Sequence, residues 1–252
     1  MEDNINVDSL WLIEKRDSSG KHANVYHGNF VPQIPNNLIR RYTSEGDLVL
    51  DLFMGGGTTL FECENLKRKF VGFDINQEII DYVESRMNPD DSILYDIHNC
   101  DVTSDKFKEC INVSLEKFNK SKVDFFIAHP PYMDIVKFTN HECDLSRLNN
   151  LDRFLDKFMC SMHNAYSSLS NNKYFAVVIG DVYKNSEILP LGFYVMNAIK
   201  QQLNVKLKGT IIKNIEGNRG KLGINSIWRT RALRSDYFIF KHEYIFVFKK
   251  LE

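Results

Sequence analysis

The chain has 252 residues, 43% hydrophobic and 26% charged, with a net charge of −1. That is enough for one sizeable core and specifies a single domain over residues 1–252. No run approaches the roughly 18–20 apolar residues of a membrane span, so no membrane partner is expected. The acidic, polar start differs from a signal peptide, which is basic and then apolar. The five cysteines, Cys63, Cys100, Cys110, Cys143 and Cys160, are scattered and contain no Cys-x-x-Cys pair. This argues against a disulfide framework or a metal site and suits a reducing cytoplasm.

The small net charge conceals an asymmetry. From Lys200 to Glu252 there are 12 Lys/Arg against 4 Asp/Glu, and over the remainder 20 against 29. A basic end on an acidic body points to a polyanion-binding face. Arg219, Arg229, Arg231 and Arg234, with Trp228 and Tyr237 among them, favour nucleic acid over a merely solvated surface.

In chain order, residues 1–25 are polar and irregular and predict an arm. Tyr26–Pro35 carries two prolines and predicts an extended turn, and Asn36–Arg41 a short helix. Val49–Phe53 is an apolar run with one acid that leads to Gly55, Gly56 and Gly57, the pattern of a buried strand and a sharp turn. Thr58 and Thr59 are positioned to cap a helix near Leu60–Leu66, leaving its first N–H groups toward a ligand. A second strand, Phe70–Phe73, ends in Asp74, where nucleotide-binding sheets hold a ribose. Gln77–Arg86 is a helix, Ser92–His98 a third strand, and Phe107–Phe118 an amphipathic helix.

A fourth strand, Val123–Ala128, runs straight into His129-Pro130-Pro131-Tyr132. Two prolines fix the backbone and remove two donors, so the Pro130 carbonyl is rigid and unpaired. Beside a polar side chain it makes two acceptors aimed at one point, suited to an –NH2 group, and Tyr132 adds a face for a base. Asn140–Asn150 is loop-like and placed to cover a substrate. Leu151–Leu169 is a long helix, Tyr174–Gly180 an inner parallel strand, and Leu191–Leu203 a helix. Gly180-Asp181, at that strand's end, either faces the target or forms a turn. Val205–Ile215 and Tyr244–Phe248 are strands enclosing the basic segment 216–242. The alternation specifies an open, mostly parallel α/β sheet with ligands at the carboxyl ends of its strands.

Together these residues resemble the S-adenosylmethionine-dependent amino-methyltransferases that act on DNA, of the adenine-N6 and cytosine-N4 type. Leu50-Asp-Leu-Phe-Met-Gly-Gly-Gly-Thr-Thr59 is similar to their Asp-Pro-Phe-x-Gly-x-Gly-Thr-Thr loop, with Leu52 for proline and Gly56 where serine is common. Phe70-Val-Gly-Phe-Asp-Ile75 is similar to their ribose-binding element, and His27-Gly-Asn-Phe-Val-Pro32 to the segment before the loop that closes over the methionine part. The resemblance implies a Rossmann-like class I methyltransferase fold of about seven strands with an antiparallel edge strand. It also implies cofactor contacts from Phe30, Asp51, Phe53, Gly55, Gly57, Thr58, Asp74 and Asp101. His129, Pro130, Pro131 and Tyr132 stand where the family has its catalytic (Asp/Asn/Ser)-Pro-Pro-(Tyr/Phe).

His129 departs from that pattern. Neutral imidazole accepts a hydrogen bond and imidazolium does not, so turnover is expected to fall as His129 protonates near its ordinary value of about 6.5. The chemistry requires neither metal nor protein nucleophile. Ring-carbon cytosine methylation is disfavoured, because in that family the nucleophilic cysteine follows proline and no cysteine here does.

The order of parts is similar to a permuted class in which target recognition follows the catalytic turn. Segment 213–242 is then the recognition region for double-stranded DNA, with Lys213, Arg219, Lys221, Arg229, Arg231 and Arg234 on phosphates or guanines. It is short, so either the site read is short or a twin subunit or a second specificity or restriction protein completes the grip. Adenine N6 leads cytosine N4 as the target. An RNA amino-methyltransferase and a non-catalytic subunit of the same fold are the alternatives.

Overall fold

The computed structural model describes residues 4–22, 28–88, 95–215 and 225–252, with side chains from residue 229 onward in the last stretch. Eight strands form one sheet: β1 (Leu10–Trp11), β2 (Leu48–Asp51), β3 (Lys69–Asp74), β4 (Tyr95–Asn99), β5 (Val123–Ala128), β6 (Leu169–Ile179), β9 (Val205–Asn214) and β10 (His242–Lys250). A separate hairpin pairs β7 (Val182–Lys184) with β8 (Glu187–Leu189). The strand order is β1-β9-β10-β6-β5-β2-β3-β4.

Strand β10 runs antiparallel to both neighbours, β6 and β9. The antiparallel strand expected at an edge therefore lies inside the sheet. The edge beyond β9 is closed by β1, a piece of the N-terminal arm paired in parallel with Leu10 opposite Ile212. The arm's own sequence carried no strand pattern because two residues show no period. Trp11 is 2% exposed and supplies the apolar anchor that holds β1 in place.

Inner strands are buried on both faces, and their side chains alternate between two cores. One core takes Leu48 and Leu50 of β2, Phe126 of β5 and Phe175 of β6, beneath α4 (Lys106–Lys117), α5 (Leu151–Ser168) and α6 (Leu191–Gln202). The other takes Val49, Phe125 and Val178 beneath α1 (Gln33–Tyr42), α2 (Thr58–Asn65) and α3 (Gln77–Glu84). Pro35, expected in an extended turn, falls in the first turn of α1, where a missing N–H costs nothing. A further helix, α7 (Asn225–Arg234), lies within the basic segment 216–242, for which the sequence specified no element.

Strand order reverses at β2, which has β3 on one side and β5 on the other. Open α/β sheets bind ligands at such a switch point, in the crevice beyond the carboxyl ends. Asp51 at the end of β2 faces Ile127 near the end of β5, and Leu52 donates to the Ile127 carbonyl at 3.2 Å. The glycine turn and the Pro-Pro-Tyr turn thus leave the sheet side by side.

Candidate active site

The glycine turn is organised by two carboxylates. Asp51, 1% exposed, accepts the Phe53 N–H at 3.0 Å and the Thr59 hydroxyl at 2.5 Å. Burial raises it to about 6, against the pull of those two bonds. Asp74 accepts the Gly55 N–H and the Asn76 N–H, each at 2.9 Å, and burial raises it too. Gly57, at φ 77°, is the N-cap of α2 and no side chain caps that end. The expected threonine cap is therefore absent, and the Thr59 hydroxyl turns to Asp51 instead. Of the first turn of α2, Thr58 reaches the crevice.

One cavity of 390 Å³ takes in both turns: Phe53, Gly55, Thr58 and Asp74 from one side, and His129, Pro130, Pro131 and Tyr132 from the other. Phe30 and Asp101 also line it, whereas Asp51 and Gly57 do not. Those two shape the turn from behind, which differs from the direct cofactor contact expected of them.

Asn29 was missed in the sequence. Its Oδ1 accepts the Gly56 N–H at 3.1 Å, while its Nδ2 is a buried donor with no protein acceptor. Arg16 of the arm anchors this segment, donating from Nη1 to the Phe30 carbonyl at 2.6 Å. The Phe30 ring lies 5.0 Å from the His129 ring, so the segment around Asn29 and Phe30 reaches the Pro-Pro-Tyr turn.

In the Pro-Pro-Tyr turn no described residue donates to the Pro130 carbonyl. His129 Nε2 lies 3.1 Å from the Tyr132 hydroxyl, which donates to Glu243 Oε2 at 3.0 Å. Tyr132 seats against Gly180, where a Cβ would stand 2.9 Å from Cε2 of its ring. Burial lowers His129 to about 4, an effect Lys213 reinforces and Glu243 opposes. The expectation of a titration near 6.5 is corrected accordingly: the imidazole is neutral throughout the neutral range.

Lys213 is a second correction. Expected on phosphates, it is 5% exposed and donates to Glu243 Oε1 at 3.0 Å beneath the Pro-Pro-Tyr turn. Alternation along β9 directs residue 213 inward, and the count of basic residues is blind to that alternation. Arg229, Arg231 and Arg234 of α7 are exposed, while Arg219 and Lys221 lie outside the described residues. Tyr237, just beyond α7, packs on Tyr183 of the β7–β8 hairpin at 5.0 Å, and Lys184 of that hairpin bonds Asp134 at 2.8 Å. These contacts bring the residues just beyond α7 beside the Pro-Pro-Tyr turn.

The loop expected to cover the substrate instead forms a wall. Asp144, 2% exposed, accepts from Thr139 and Ser146, and Thr139, Cys143 and Leu145 line the cavity. Asp181 turns inward to accept from the Gly192 N–H and the Tyr244 hydroxyl, each at 3.1 Å, so it ties the end of β6 to α6 and β10. Among the described residues no cluster of metal-ligating side chains occurs, and no helix is long and apolar enough to cross a membrane.

Residues 2–85 match the N6_N4_Mtase family of DNA methylases. The chain is 30% identical over 121 residues to the type II methyltransferase M.MjaII of Methanocaldococcus jannaschii, covering 43% of this chain and 23% of that protein. It is 35% identical over 107 residues to M.HpaI of Haemophilus parainfluenzae, covering 42% and 32%. These matches thus span a third or less of the relatives' own length. In fold it superposes on TrmN of Thermus thermophilus with a TM-score of 0.55 at 14% identity, over 88% of this chain and 49% of that one. On PH1948 of Pyrococcus horikoshii the TM-score is 0.53 at 14% identity, over 88% and 83%. The fold is thus that of Rossmann-like class I methyltransferases, and over part of its length the chain is similar to DNA methylases.

Proposed function

We propose that the chain transfers a methyl group from S-adenosylmethionine to the exocyclic amine of a base flipped out of double-stranded DNA, with adenine N6 the favoured target. The observation that carries this reading is the shared cavity between the glycine turn and the Pro-Pro-Tyr turn at adjacent strand tips. The cofactor suits the residues present. Asp74 has lone pairs beyond its two backbone bonds for the ribose hydroxyls. Asn29 Nδ2 offers an unused buried donor beside the glycines, and Asp101 an acceptor across the cavity. When bound, S-adenosylmethionine supplies an electrophilic methyl on a sulfonium, and the carbon–sulfur electron pair returns to sulfur as the methyl leaves.

The protein's part is to make the amine a nucleophile. Conjugation to the ring ties up its lone pair. Two acceptors, the Pro130 carbonyl and the neutral His129 ring, draw its N–H groups toward tetrahedral geometry and release that pair. As the methyl arrives, one amine proton passes along its hydrogen bond to the neutral His129 ring and on to solvent, so the methylated base is left neutral. Extruding the base costs a few kcal/mol of stacking, and the Tyr132 ring at the cavity offers a surface to replace it. Cytosine N4 carries the same conjugated amine, and His129, atypical at the first position of the turn, keeps it as the alternative.

Exposed Arg229, Arg231 and Arg234 on α7 support a duplex substrate, and the order of parts supports the permuted class. Expression in a methylation-free bacterial host, followed by single-molecule sequencing, tests the reading. The expected result is one modified base in one short motif, lost in Pro130→Ala while cofactor affinity by calorimetry is retained. Cofactor binding with no methylated DNA would overturn the enzyme assignment in favour of a binding subunit, and methylated RNA alone would overturn the substrate.

A further inference from the structure

A row of buried polar groups runs along the cavity wall from Lys213 of β9 to the Pro-Pro-Tyr turn, and no sequence motif marks its Lys213–Glu243 end. Lys213 on β9 and Glu243 on β10 are register partners, 5% and 7% exposed, joined by a 3.0 Å ion pair. Glu243 Oε2 receives the Tyr132 hydroxyl, whose oxygen is in turn 3.1 Å from His129 Nε2. We infer that Glu243 is a positioning residue that acts through Tyr132 to fix His129 as its Nε2–H tautomer, leaving Nδ1 as the acceptor for the target amine. This deepens the methyltransferase reading above and rests on it for the identity of the amine.

The polarity follows from counting protons. Lys213 has only donors and forms a 3.0 Å ion pair with Oε1, so in this pair Glu243 is the carboxylate acceptor and has no proton to give. The hydrogen between Tyr132 and Glu243 is therefore the tyrosine's. A phenol has one proton, so toward His129 its oxygen is an acceptor, and Nε2 supplies the N–H. Neutral imidazole carries a single N–H, which leaves the Nδ1 lone pair free, and Nδ1 has no protein partner among the described residues. The opposite polarity would place an unprotonated hydroxyl oxygen 3.0 Å from a carboxylate oxygen with nothing between them.

The surroundings keep His129 in the neutral state that the scheme needs. The charged and titratable groups facing it are Glu243 and Lys213 from the two strands and Tyr132 from its own turn, with the Phe30 ring on another side. Burial dominates, and the two opposite charges act against each other. Gly180 completes the device, because any side chain there would displace the Tyr132 ring and take its hydroxyl out of reach of Glu243. Where an asparagine or aspartate has a built-in oxygen acceptor, an imidazole has two interchangeable nitrogens. A histidine at this position therefore needs an external group to choose between them.

The test is nitrogen NMR on the full chain labelled with 15N-histidine, with the His129 signals assigned by their absence from His129→Asn. The expected wild-type spectrum has a protonated Nε2 and an unprotonated Nδ1 from pH 6 to 8. Tyr132→Phe removes the acceptor, and Glu243→Gln lets the amide donate to the tyrosine oxygen. Both should shift His129 toward a mixture of tautomers. With Glu243→Gln, kcat is expected to fall on the order of 10–100-fold, the scale of lost partners behind a reacting group, with KM for the cofactor unchanged. A wild-type His129 protonated at Nδ1 would overturn the inference. So would a Glu243→Gln or Tyr132→Phe protein that folds and keeps the pure Nε2–H form. If Glu243→Gln does not fold, Tyr132→Phe alone decides. The tautomer is read without turnover, so a correct tautomer in a chain that methylates nothing would sink the enzyme assignment and leave the row standing.

Discussion

The glycine turn and the Pro-Pro-Tyr turn leave adjacent strands and share one cavity, yet they are supported in opposite ways. The glycine turn is supported mainly from nearby in the chain. Asp51 reaches Phe53 and Thr59, and Asp74 reaches Gly55 and Asn76. The Pro-Pro-Tyr turn is supported from the far end: Tyr132 bonds Glu243, 111 residues on, and Glu243 bonds Lys213 of another strand. A locally supported turn tolerates change elsewhere in the sheet. A remotely supported one inherits the fate of the strands that brace it.

The largest effect expected from breaking this contrast is at Lys213. Lys213→Met leaves Glu243 ionised, buried and unpaired, a loss of about 3–5 kcal/mol by chemical denaturation. Adding Glu243→Gln removes the stranded charge and should recover much of that. The pair also separates a structural lysine from a DNA-binding one: Lys213→Met should not change the salt slope of DNA binding.

Next in size is His129→Ala, which removes one of the two acceptors and is expected to cost roughly a hundredfold in kcat or more. His129→Asn, which restores an oxygen acceptor, should cost far less. Because burial lowers His129 to about 4, wild-type turnover should stay level from pH 8 down to about 5 and fall only as pH approaches 4. A half-maximal point near 6.5 would show that the ring is solvated and the row broken.

On the other side of the comparison, Asp51 has a folded value of about 6 against 3.8 unfolded. Its contribution to stability is therefore present below 3.8 and lost as pH rises through about 6, a change of about 2–3 kcal/mol. Asp51→Asn keeps an acceptor for Phe53 and offers a donor to Thr59. It should flatten that dependence and leave the protein no less stable at pH 8, read from denaturation midpoints at pH 4 and 8. The smallest effect belongs to α7: Arg229→Ala or Arg234→Ala should each reduce the salt slope of DNA binding by about 1 with no change in folding stability.

The same contrast governs what the chain discloses in one dimension. Gly55 to Gly57 followed by Thr58, with Asp74 beyond, form a pattern within a short window, so strand, turn and carboxylate are legible there. His129-Pro130-Pro131-Tyr132 is equally compact and its position on the fourth strand follows from the apolar run before it. Glu243 and Lys213 look like ordinary charges on strands, and only the register of β9 with β10 turns both inward beneath Tyr132. Asn29 sits in an irregular segment whose meaning depends on the glycine turn folding back against it. The place of β10 inside the sheet, and the pairing of Leu10 and Trp11 with β9, likewise depend on strand order, to which no local periodicity is sensitive.

Strand β1 has a practical consequence. Its two residues occupy what would be a bare rim of hydrogen-bonding groups along β9, with Trp11 directly opposite Lys213. Deleting residues 4–15 would strip that rim and invite strand-to-strand adhesion between molecules, and the same cut would loosen the seat of the lysine beside His129. Tags and fusions at this end of the polypeptide are thus attached to a girder of the cavity wall, and solubility and cavity geometry should suffer together when it is trimmed.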